Sequence, residues 1–108
     1  MADLDAAENS SCQVRVRRDG GVPVIALTGE LDMTSADDVR SAVDDVLRQD
    51  PGRVVFDTSA LQFMDSSGIA LLLSVARRVP DVQLHSPSPI VRRLIELTGL
   101  EQTLRIIG

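Results

Sequence analysis

Stretches with the alternating hydrophobic pattern of strands and stretches with the hydrophobic spacing of helices follow one another along this chain. Their order limits its fold more than any other feature of the sequence. Val14 and Val16 alternate with arginines, as in a half-buried strand, and Asp19-Gly20-Gly21 predicts a reversal into a second strand, Val22–Leu31. The later patterns predict, in order, a helix that begins near Thr34 and is ended by Pro51-Gly52, a strand over 53–58 and a connection over 59–64. A helix over 69–79, a strand over 82–84 and a helix that starts at Pro89 and ends at Gly99 follow.

This order predicts an α/β fold: an N-terminal β-hairpin, then alternating helices and strands in a mixed, mainly parallel sheet with right-handed crossovers. The middle of the second strand, residues 24–27, is apolar on both faces, which predicts a sheet covered by helices. The helix over 69–79 is apolar nearly all round, so either it is deeply buried or one side is kept for a partner. The short apolar pattern of residues 104–107 fits a strand and a helix equally well.

The chain of 108 residues is long enough for one domain, which we assign to residues 12–108, after a mobile tail of residues 1–11. The tail carries three acidic and no basic side chains and no apolar stretch, unlike a signal peptide. The longest apolar run, residues 69–73, is far too short to cross a membrane, so a cytoplasmic protein that does not bind membranes is expected. We also expect it to be a monomer when free.

Composition excludes several kinds of chemistry. All eleven basic residues are arginines, which rules out a P-loop lysine or a Schiff base, and the formal charge of −5 argues against non-specific nucleic-acid binding. One cysteine, Cys12, and one histidine, His85, exclude a disulfide framework and a conventional Cys/His metal site. No cofactor, no metal and no catalytic residues are predicted, and the chain is not expected to be an enzyme.

Three polar loops follow the parallel strands, and the carboxyl ends of such strands are where ligands and partners gather. The loops are Asp32-Met33-Thr34-Ser35, Asp65-Ser66-Ser67-Gly68 and His85-Ser86-Pro87-Ser88. Each leads into a helix, whose first N–H groups favour anions, including a phosphate carried by a serine. Thr34 and Ser35, followed by Asp37 and Asp38, resemble a capping box, and Ser88-Pro89 predicts an N-cap with proline at the first helical position.

The Asp-Ser-Ser-Gly segment has two interpretations. Asp65 or Ser66 is an ordinary N-cap, or the hydroxyl of Ser66, beside the helix start, is phosphorylated and gains about 1.5 to 2 negative charges. Gly68 allows a tight turn, and Ser67 belongs to the first turn of the helix. Asp32 either caps the preceding helix or contributes to a partner surface. His85 is expected to be structural, and a further pair, Phe63 and Met64, is expected in the core.

Three stretches resemble the signature stretches of the STAS domain, and more narrowly those of bacterial anti-sigma factor antagonists. They are residues 29–32 (GELD), 64–69 (MDSSGI) and 88–100 (SPIVRRLIELTGL), and the similarity spans about residues 13–107 in the family's order and spacing. The fold that this resemblance implies is a mixed sheet with helices, in agreement with the periodicities.

The resemblance implies a partner switch. An unphosphorylated antagonist binds an anti-sigma factor, usually a serine kinase of the histidine-kinase-like ATPase class, and so frees a sigma factor. Phosphorylation of the serine that matches Ser66 ends the complex, and a separate phosphatase resets it. The partner-binding residues would be Asp32, Asp65, Ser66, Ser67 and Gly68. The chain departs from the family pattern in its N-terminal tail and its lack of lysine.

Three other interpretations remain open. A STAS domain also serves as a non-switching interaction module in transport or stress-signalling complexes. A phosphoacceptor receiver domain would use Asp57 at the end of its third strand, but the acidic pair and late lysine it needs are absent. A serine hydrolase would need a Gly-x-Ser-x-Gly elbow, which is also absent, and only His85 could serve as its base.

Overall fold

The computed structural model describes residues 11–108, and within them five strands and three helices follow one another. The elements are β1 (Cys12–Asp19), β2 (Val22–Leu31), α1 (Ala36–Leu47), β3 (Arg53–Met64), α2 (Ser66–Ala76), β4 (Asp81–His85), α3 (Pro89–Thr98) and β5 (Arg105–Ile107). The predicted α/β domain with an N-terminal hairpin is therefore confirmed. No helix in this part of the chain has both the length and the apolar character of a membrane span.

The five strands form one sheet in the order β1-β2-β3-β4-β5. β1 and β2 are antiparallel, and the other neighbours are parallel, so the sheet is mixed as predicted. The hairpin turn uses Gly20 and Gly21, whose φ values of 59° and 85° lie in the left-handed region that glycine adopts without a steric cost. The undecided piece at the C-terminus is β5, which pairs with β4.

Hydrogen bonds to β2 extend one residue before the start of β1. Ser11, expected in the tail, is tied to β2: its carbonyl accepts from the Glu30 N–H at 2.7 Å, and its hydroxyl donates to the Glu30 carbonyl at 3.2 Å. These bonds hold the entry to β1 beside the end of β2. The rest of the predicted tail, residues 1–10, lies outside the described residues.

The main core lies between the sheet and the helices. Buried side chains from all three helices, among them Val43, Leu72 and Ile95, belong to one cluster with Ile25 and Phe56 of the sheet. Other fully buried members are Leu27, Leu31, Val39, Val54, Leu61, Leu84, Val91 and Leu104. Burying such aliphatic side chains contributes about 1.5 to 3 kcal/mol each, so this cluster dominates the free energy of folding.

The opposite surface of the sheet, here called the open face, does not have the helical cover that the sequence predicts. Val24 and Val55 are buried on it but lie outside the main core cluster. They form the floor of a cleft of about 520 Å³ whose lining includes Arg17, Arg53 and Gln83 and comes from strands and from Ser86, not from a helix. Within residues 11–108 the prediction of cover on both faces is therefore wrong here. Neighbouring strands and long polar side chains bury the valines instead.

β3 is longer than the predicted strand. Residues 59–64, predicted as a connection, continue pairing with β2, with register shifts between Ala26 and Thr28 and between Gly29 and Glu30. β4 ends opposite Asp57, so the extension of β3 runs beyond it. Ser88 fastens the start of α3 there, because its hydroxyl donates to the Leu61 carbonyl at 2.6 Å.

The ends of α3 are partly as predicted. Pro89 occupies the first turn, and Gly99 ends the helix with φ 73°, while the Leu100 N–H donates to the Ile95 carbonyl at 3.2 Å, as in a Schellman motif. Ser88 stands at the N-cap position but makes no side-chain cap bond. Its hydroxyl is instead committed to β3.

Candidate functional site

Two of the three predicted loops meet at the carboxyl edge of the sheet. Leu31 and Met64 are paired at the ends of β2 and β3, and the Asp65 N–H donates to the Leu31 carbonyl at 3.2 Å. This pairing places the loop of residues 32–35 (the 32–35 loop) beside residues 65–68 (the 65–68 turn). The third loop follows β4, which ends level with Asp57 rather than with Met64, so it is set back from the other two.

Ser66 is the first residue of α2, and its side chain is exposed. Asp65 is the N-cap residue, with extended backbone, and its carboxylate accepts from the Ser67 N–H at 2.8 Å. The capping interpretation is therefore confirmed for Asp65 and not for Ser66. Within residues 11–108 the Ser66 hydroxyl makes no hydrogen bond, so it points into solvent next to a helix start.

Gly68 is required for a different reason than predicted. It lies buried inside α2 and does not have a positive φ, so no tight turn depends on it. A Cβ atom at this position would lie 2.8 Å from the Met64 sulfur and 3.0 Å from Cγ of Leu31, and closer still to Cγ of Met64. Glycine thus lets the first turn of α2 approach the ends of β2 and β3, which brings Ser66 to the edge of the sheet.

The 32–35 loop is organised by one carboxylate oxygen. Oδ1 of Asp32 accepts from the Thr34 hydroxyl at 2.7 Å, the Thr34 N–H at 3.0 Å and the Ser35 N–H at 3.2 Å. These bonds, with the Thr34 hydroxyl foremost, hold the pKa of Asp32 below its usual range against an opposing effect of desolvation. Asp32 therefore stays ionised and shapes the approach to α1.

Ser35 is the buried counterpart of Asp32 in this loop. Its hydroxyl donates to the Glu30 carbonyl at 2.9 Å and accepts from the Asp32 N–H at 3.0 Å. Although Ser35 stands at the N-cap position of α1, it makes no side-chain cap bond, so the predicted capping box is wrong. The hydroxyl is used to close the loop rather than to cap the helix.

Apolar side chains are exposed near the two loops. Met33 is 77% exposed and belongs to the 32–35 loop, while Phe63, 42% exposed, lies two residues before Asp65. The sequence predicts both Phe63 and Met64 in the core. This prediction is wrong for Phe63 and confirmed for Met64, which is buried. The carboxyl edge therefore combines the Ser66 hydroxyl, two carboxylates and large apolar side chains, which is a composition suited to contact with a protein.

The body of α2 is mainly buried. Leu71, Leu72 and Val75 are buried in it, and Ile69 and Ala76 pack against the core. Of the two predicted explanations for its apolar surface, burial accounts for these residues.

His85 lines the cleft of the open face, and Cys12 belongs to the core. Nε2 of His85 is 2.9 Å from Oε1 of Gln83, and both side chains line the cleft of the open face. Cys12 is buried, and burial raises the pKa of its thiol to about 11. Within residues 11–108 no group of three or more His, Cys, Asp and Glu side chains is placed to hold a metal ion.

Comparison with known proteins gives matches over nearly the whole chain. A family model described as Mlab, STAS domain matches residues 14–107. The anti-sigma-F factor antagonist RsfB of Mycobacterium tuberculosis is 29% identical over 101 residues, which cover 91% of this chain and 83% of RsfB.

Solved structures agree with these matches. An anti-sigma factor antagonist from Mycobacterium paratuberculosis superposes with a TM-score of 0.85 at 30% identity, over 91% of this chain and 86% of the other. The Bacillus anti-sigma factor antagonist SpoIIAA superposes in its unphosphorylated form with a TM-score of 0.73 at 27% identity, over 88% of each chain. Its phosphorylated form gives 0.67 at 26% identity, over 88% of this chain and 91% of the other.

Proposed function

We propose, from the premise that this chain belongs to the STAS domain family, that it is an anti-sigma factor antagonist controlled by phosphorylation of Ser66. In the unphosphorylated state it binds an anti-sigma factor that is also a serine kinase, and a sigma factor is released. The phosphorylated state does not bind, and a phosphatase that acts on phosphorylated Ser66 restores the first state. The protein acts through binding and not as an enzyme.

The observation that carries the proposal is the exposed hydroxyl of Ser66 at the first position of α2. A kinase must reach the hydroxyl and hold it in line with a nucleotide, so a buried serine would not serve. The similarity to SpoIIAA, which has been solved in phosphorylated and unphosphorylated forms, supports a switch of this type. The names of RsfB and SpoIIAA support an anti-sigma factor as the partner.

The local charges suit a switch that works by repulsion. A phosphate on Ser66 adds about 1.5 to 2 negative charges next to the carboxylate of Asp65 and at the same edge as Asp32. The Ser67 N–H, one of the donors that a helix start offers an anion, is already bonded to Asp65 at 2.8 Å. The phosphate is therefore poorly neutralised by its own protein, and desolvating it in an interface costs free energy.

Apolar contacts supply the attraction that this charge opposes. Met33 and Phe63 would be covered by a partner docked over Ser66, and exposed apolar side chains of this size are typical anchors. Unfavourable charge at an interface costs several kcal/mol, and about 2.7 kcal/mol already weakens binding about 100-fold. Phosphorylation can thus end the complex without refolding the domain.

The test combines modification and binding. The chain is incubated with a candidate anti-sigma kinase and ATP, and the phosphorylated residue is identified by peptide mass spectrometry. Binding to the same kinase is then measured by calorimetry for Ser66→Ala, Ser66→Asp and the neighbouring control Ser67→Ala. We expect phosphate on Ser66, binding by both alanine variants, and about 100-fold weaker binding by Ser66→Asp.

The same measurements decide against the alternative, a non-switching STAS interaction module. If Ser66→Asp binds as tightly as the wild type, phosphorylation is not the switch. If Ser66→Ala loses binding while Ser67→Ala retains it, the Ser66 hydroxyl itself contacts the partner. Accepting a phosphate would then not be its only role.

A further inference from the structure

β1 stands at one edge of the sheet and has a free side. In the described part of the chain β1 pairs only with β2, and it has eight residues, whereas the strand at the opposite edge, β5, has three. A long edge strand presents a row of backbone N–H and C=O groups to which another strand can add. The free side of β1 is therefore the longer of the two edges that the sheet offers.

The pairing with β2 decides which backbone groups of β1 point outward. In an antiparallel pair, residues bonded to the partner strand alternate with residues whose N–H and C=O groups point away from it. The Ser11 carbonyl accepts from the Glu30 N–H at 2.7 Å, so the residues of β1 that are bonded to β2 are those with odd numbers. Val14, Val16 and Arg18 therefore present their backbone groups to the free edge.

Side chains along this edge differ between the two surfaces of the sheet. Arg15 and Arg17 are exposed on the open face, and among residues 11–108 neither makes an ion pair or a side-chain hydrogen bond. Val14 and Val16 point to the helical surface, where Val14 packs against the core and Val16 is 45% exposed. The two arginines and Val16, with Ala26 of β2, line a groove of about 350 Å³. A strand beside β1 would thus meet positive charge on one surface and apolar atoms on the other.

The charges argue against a second copy of the chain at this edge. Two β1 strands that pair antiparallel about Val16 would place Arg15 of each copy opposite Arg17 of the other. Like charges directly opposite each other destabilise a strand pair, and charged residues on an edge strand hinder self-association. The same arginines favour a strand that carries acidic residues at the opposite positions, because opposite charges in this arrangement stabilise pairing.

We propose that the free edge of β1 binds an extended segment of a partner protein in which acidic and apolar residues alternate. The segment adds antiparallel as a sixth strand, with its acidic side chains facing Arg15 and Arg17 and its apolar side chains covering Val16. The positions opposite the two arginines are then the non-hydrogen-bonded ones, where side chains of neighbouring strands come closest. The proposal does not depend on phosphorylation of Ser66, and its test needs no anti-sigma factor.

The experiment uses the isotope-enriched full chain and a soluble peptide of the proposed pattern, acetyl-Thr-Val-Glu-Val-Glu-Val-Thr-amide. Amide exchange with deuterium is followed by NMR without the peptide and with a saturating concentration of it. In the free protein we expect fast exchange at Val14 and Val16 and slow exchange at Arg15 and Arg17, whose N–H groups are bonded to β2. The peptide should slow exchange at Val14 and Val16 by about 10-fold and leave the two arginines unchanged.

Two control peptides separate the charge from the addition of a strand. One has lysine in place of both glutamates. The other has the composition of the probe in the order Thr-Glu-Glu-Val-Val-Val-Thr, which removes the alternation. Both should bind about 10-fold more weakly than the probe.

Reversing the charge of the edge should exchange the preference between the peptides. Arg15→Glu with Arg17→Glu should bind the lysine peptide more tightly than the glutamate peptide. Arg77→Glu with Arg93→Glu changes the charge equally at exposed arginines outside β1 and should keep the wild-type preference. An unchanged urea midpoint checks that each variant is folded, and the peptide controls test the proposal on the wild type alone.

Three results would overturn the proposal. If the probe leaves exchange at Val14 and Val16 unchanged, the arginines only protect the edge from pairing. Slow exchange at these two amides in the free protein would mean that the edge is already covered, by a second copy if dilution makes the exchange fast. Equal binding of the alternating and the reordered peptide would mean that the arginines attract negative charge without the addition of a strand.

Discussion

The 32–35 loop and the 65–68 turn lie side by side at the carboxyl edge, yet they are built in opposite ways. The 32–35 loop is held by bonds within itself and to the end of β2. Oδ1 of Asp32 accepts three hydrogen bonds from Thr34 and Ser35, and the buried Ser35 hydroxyl bonds to the backbone. The second has a single side-chain cap bond, from Ser67 to Asp65, and leaves the Ser66 hydroxyl in solvent. A loop held by several hydrogen bonds thus flanks an exposed hydroxyl.

The comparison also separates two ways of holding a loop. Hydrogen bonds fix the 32–35 loop, whereas close packing of Gly68, in the first turn of α2, against Met64 and Leu31 fixes the 65–68 turn. Side-chain substitutions should therefore damage the two segments for different reasons and by different amounts. The following changes, from the largest expected effect to the smallest, test that difference.

Adding a side chain at Gly68 should have the largest effect. Gly68→Val places atoms against Met64 and Leu31, which are both buried, and overpacking of this kind costs about 3 kcal/mol of unfolding free energy. Urea unfolding followed by circular dichroism measures it. The matched control is Gly52→Ala, where a new Cβ meets nothing within 4 Å, and it should change stability by less than about 1 kcal/mol. Equal effects at the two glycines would refute the packing argument.

Removing the buried hydroxyl of the 32–35 loop should come next. Ser35→Ala leaves the Glu30 carbonyl and the Asp32 N–H without their partner, at a cost of about 2 kcal/mol. Ser59→Ala, which removes an exposed hydroxyl bonded to Asp57, serves as the control and should cost well under about 1 kcal/mol. If both variants unfold at the same urea concentration, the loop is not held by this hydroxyl.

Changing the cap of α2 should have a smaller effect and should divide the two roles of Asp65. Asp65→Ala removes the acceptor for the Ser67 N–H and should cost about 1 kcal/mol. Asp65→Asn retains a good N-cap without the charge, so its unfolding free energy should stay within a few tenths of a kcal/mol of the wild type. A loss in the asparagine variant as large as in the alanine variant would mean that the charge, and not the cap bond, stabilises the turn.

The smallest effect concerns the pH dependence of the 32–35 loop. Because hydrogen bonds from Thr34 and Ser35 lower the pKa of Asp32 in the folded state, its contribution is fully present above the unfolded pKa of about 3.9 and is lost as pH falls through the lower folded value. Wild-type stability should therefore fall more steeply below about pH 4 than that of Asp32→Asn. Urea midpoints across this range measure the difference, with Asp37→Asn as a charge-matched control. Parallel curves for wild type and Asp32→Asn would contradict the prediction.

The sequence predicted elements well where the pattern was local. The strand Val22–Leu31 has its predicted bounds, because the glycines at positions 20 and 21 mark the reversal before it and its apolar run is short and continuous. The interpretation of residues 59–64 as a connection failed because their pairing with β2 is long-range and interrupted by register shifts. Nor did periodicity reveal that the Ser88 hydroxyl would bond to β3 instead of capping its own helix.

The candidate site shows the same division. The residue types Asp32, Asp65 and Ser66 could be selected from the sequence because each follows a predicted strand and precedes a predicted helix. The exposure of Phe63 and the packing role of Gly68 could not, since both depend on which side chains stand opposite them. A buried glycine inside a helix leaves no pattern in a single sequence that distinguishes it from one in a turn.

By itself the sequence determined the order of the strands and helices, the single α/β domain and the position of Ser66 beside the start of a helix, which it placed at Ile69. These follow from short-range periodicity and turn chemistry, which act between residues a few positions apart. Only the tertiary structure decided that the first two polar loops meet while the third is set back, that the Ser66 hydroxyl faces solvent, and that one surface of the sheet has the open cleft. Those outcomes depend on strand register and on which elements are left to cover each face, and both are set by contacts between distant parts of the chain.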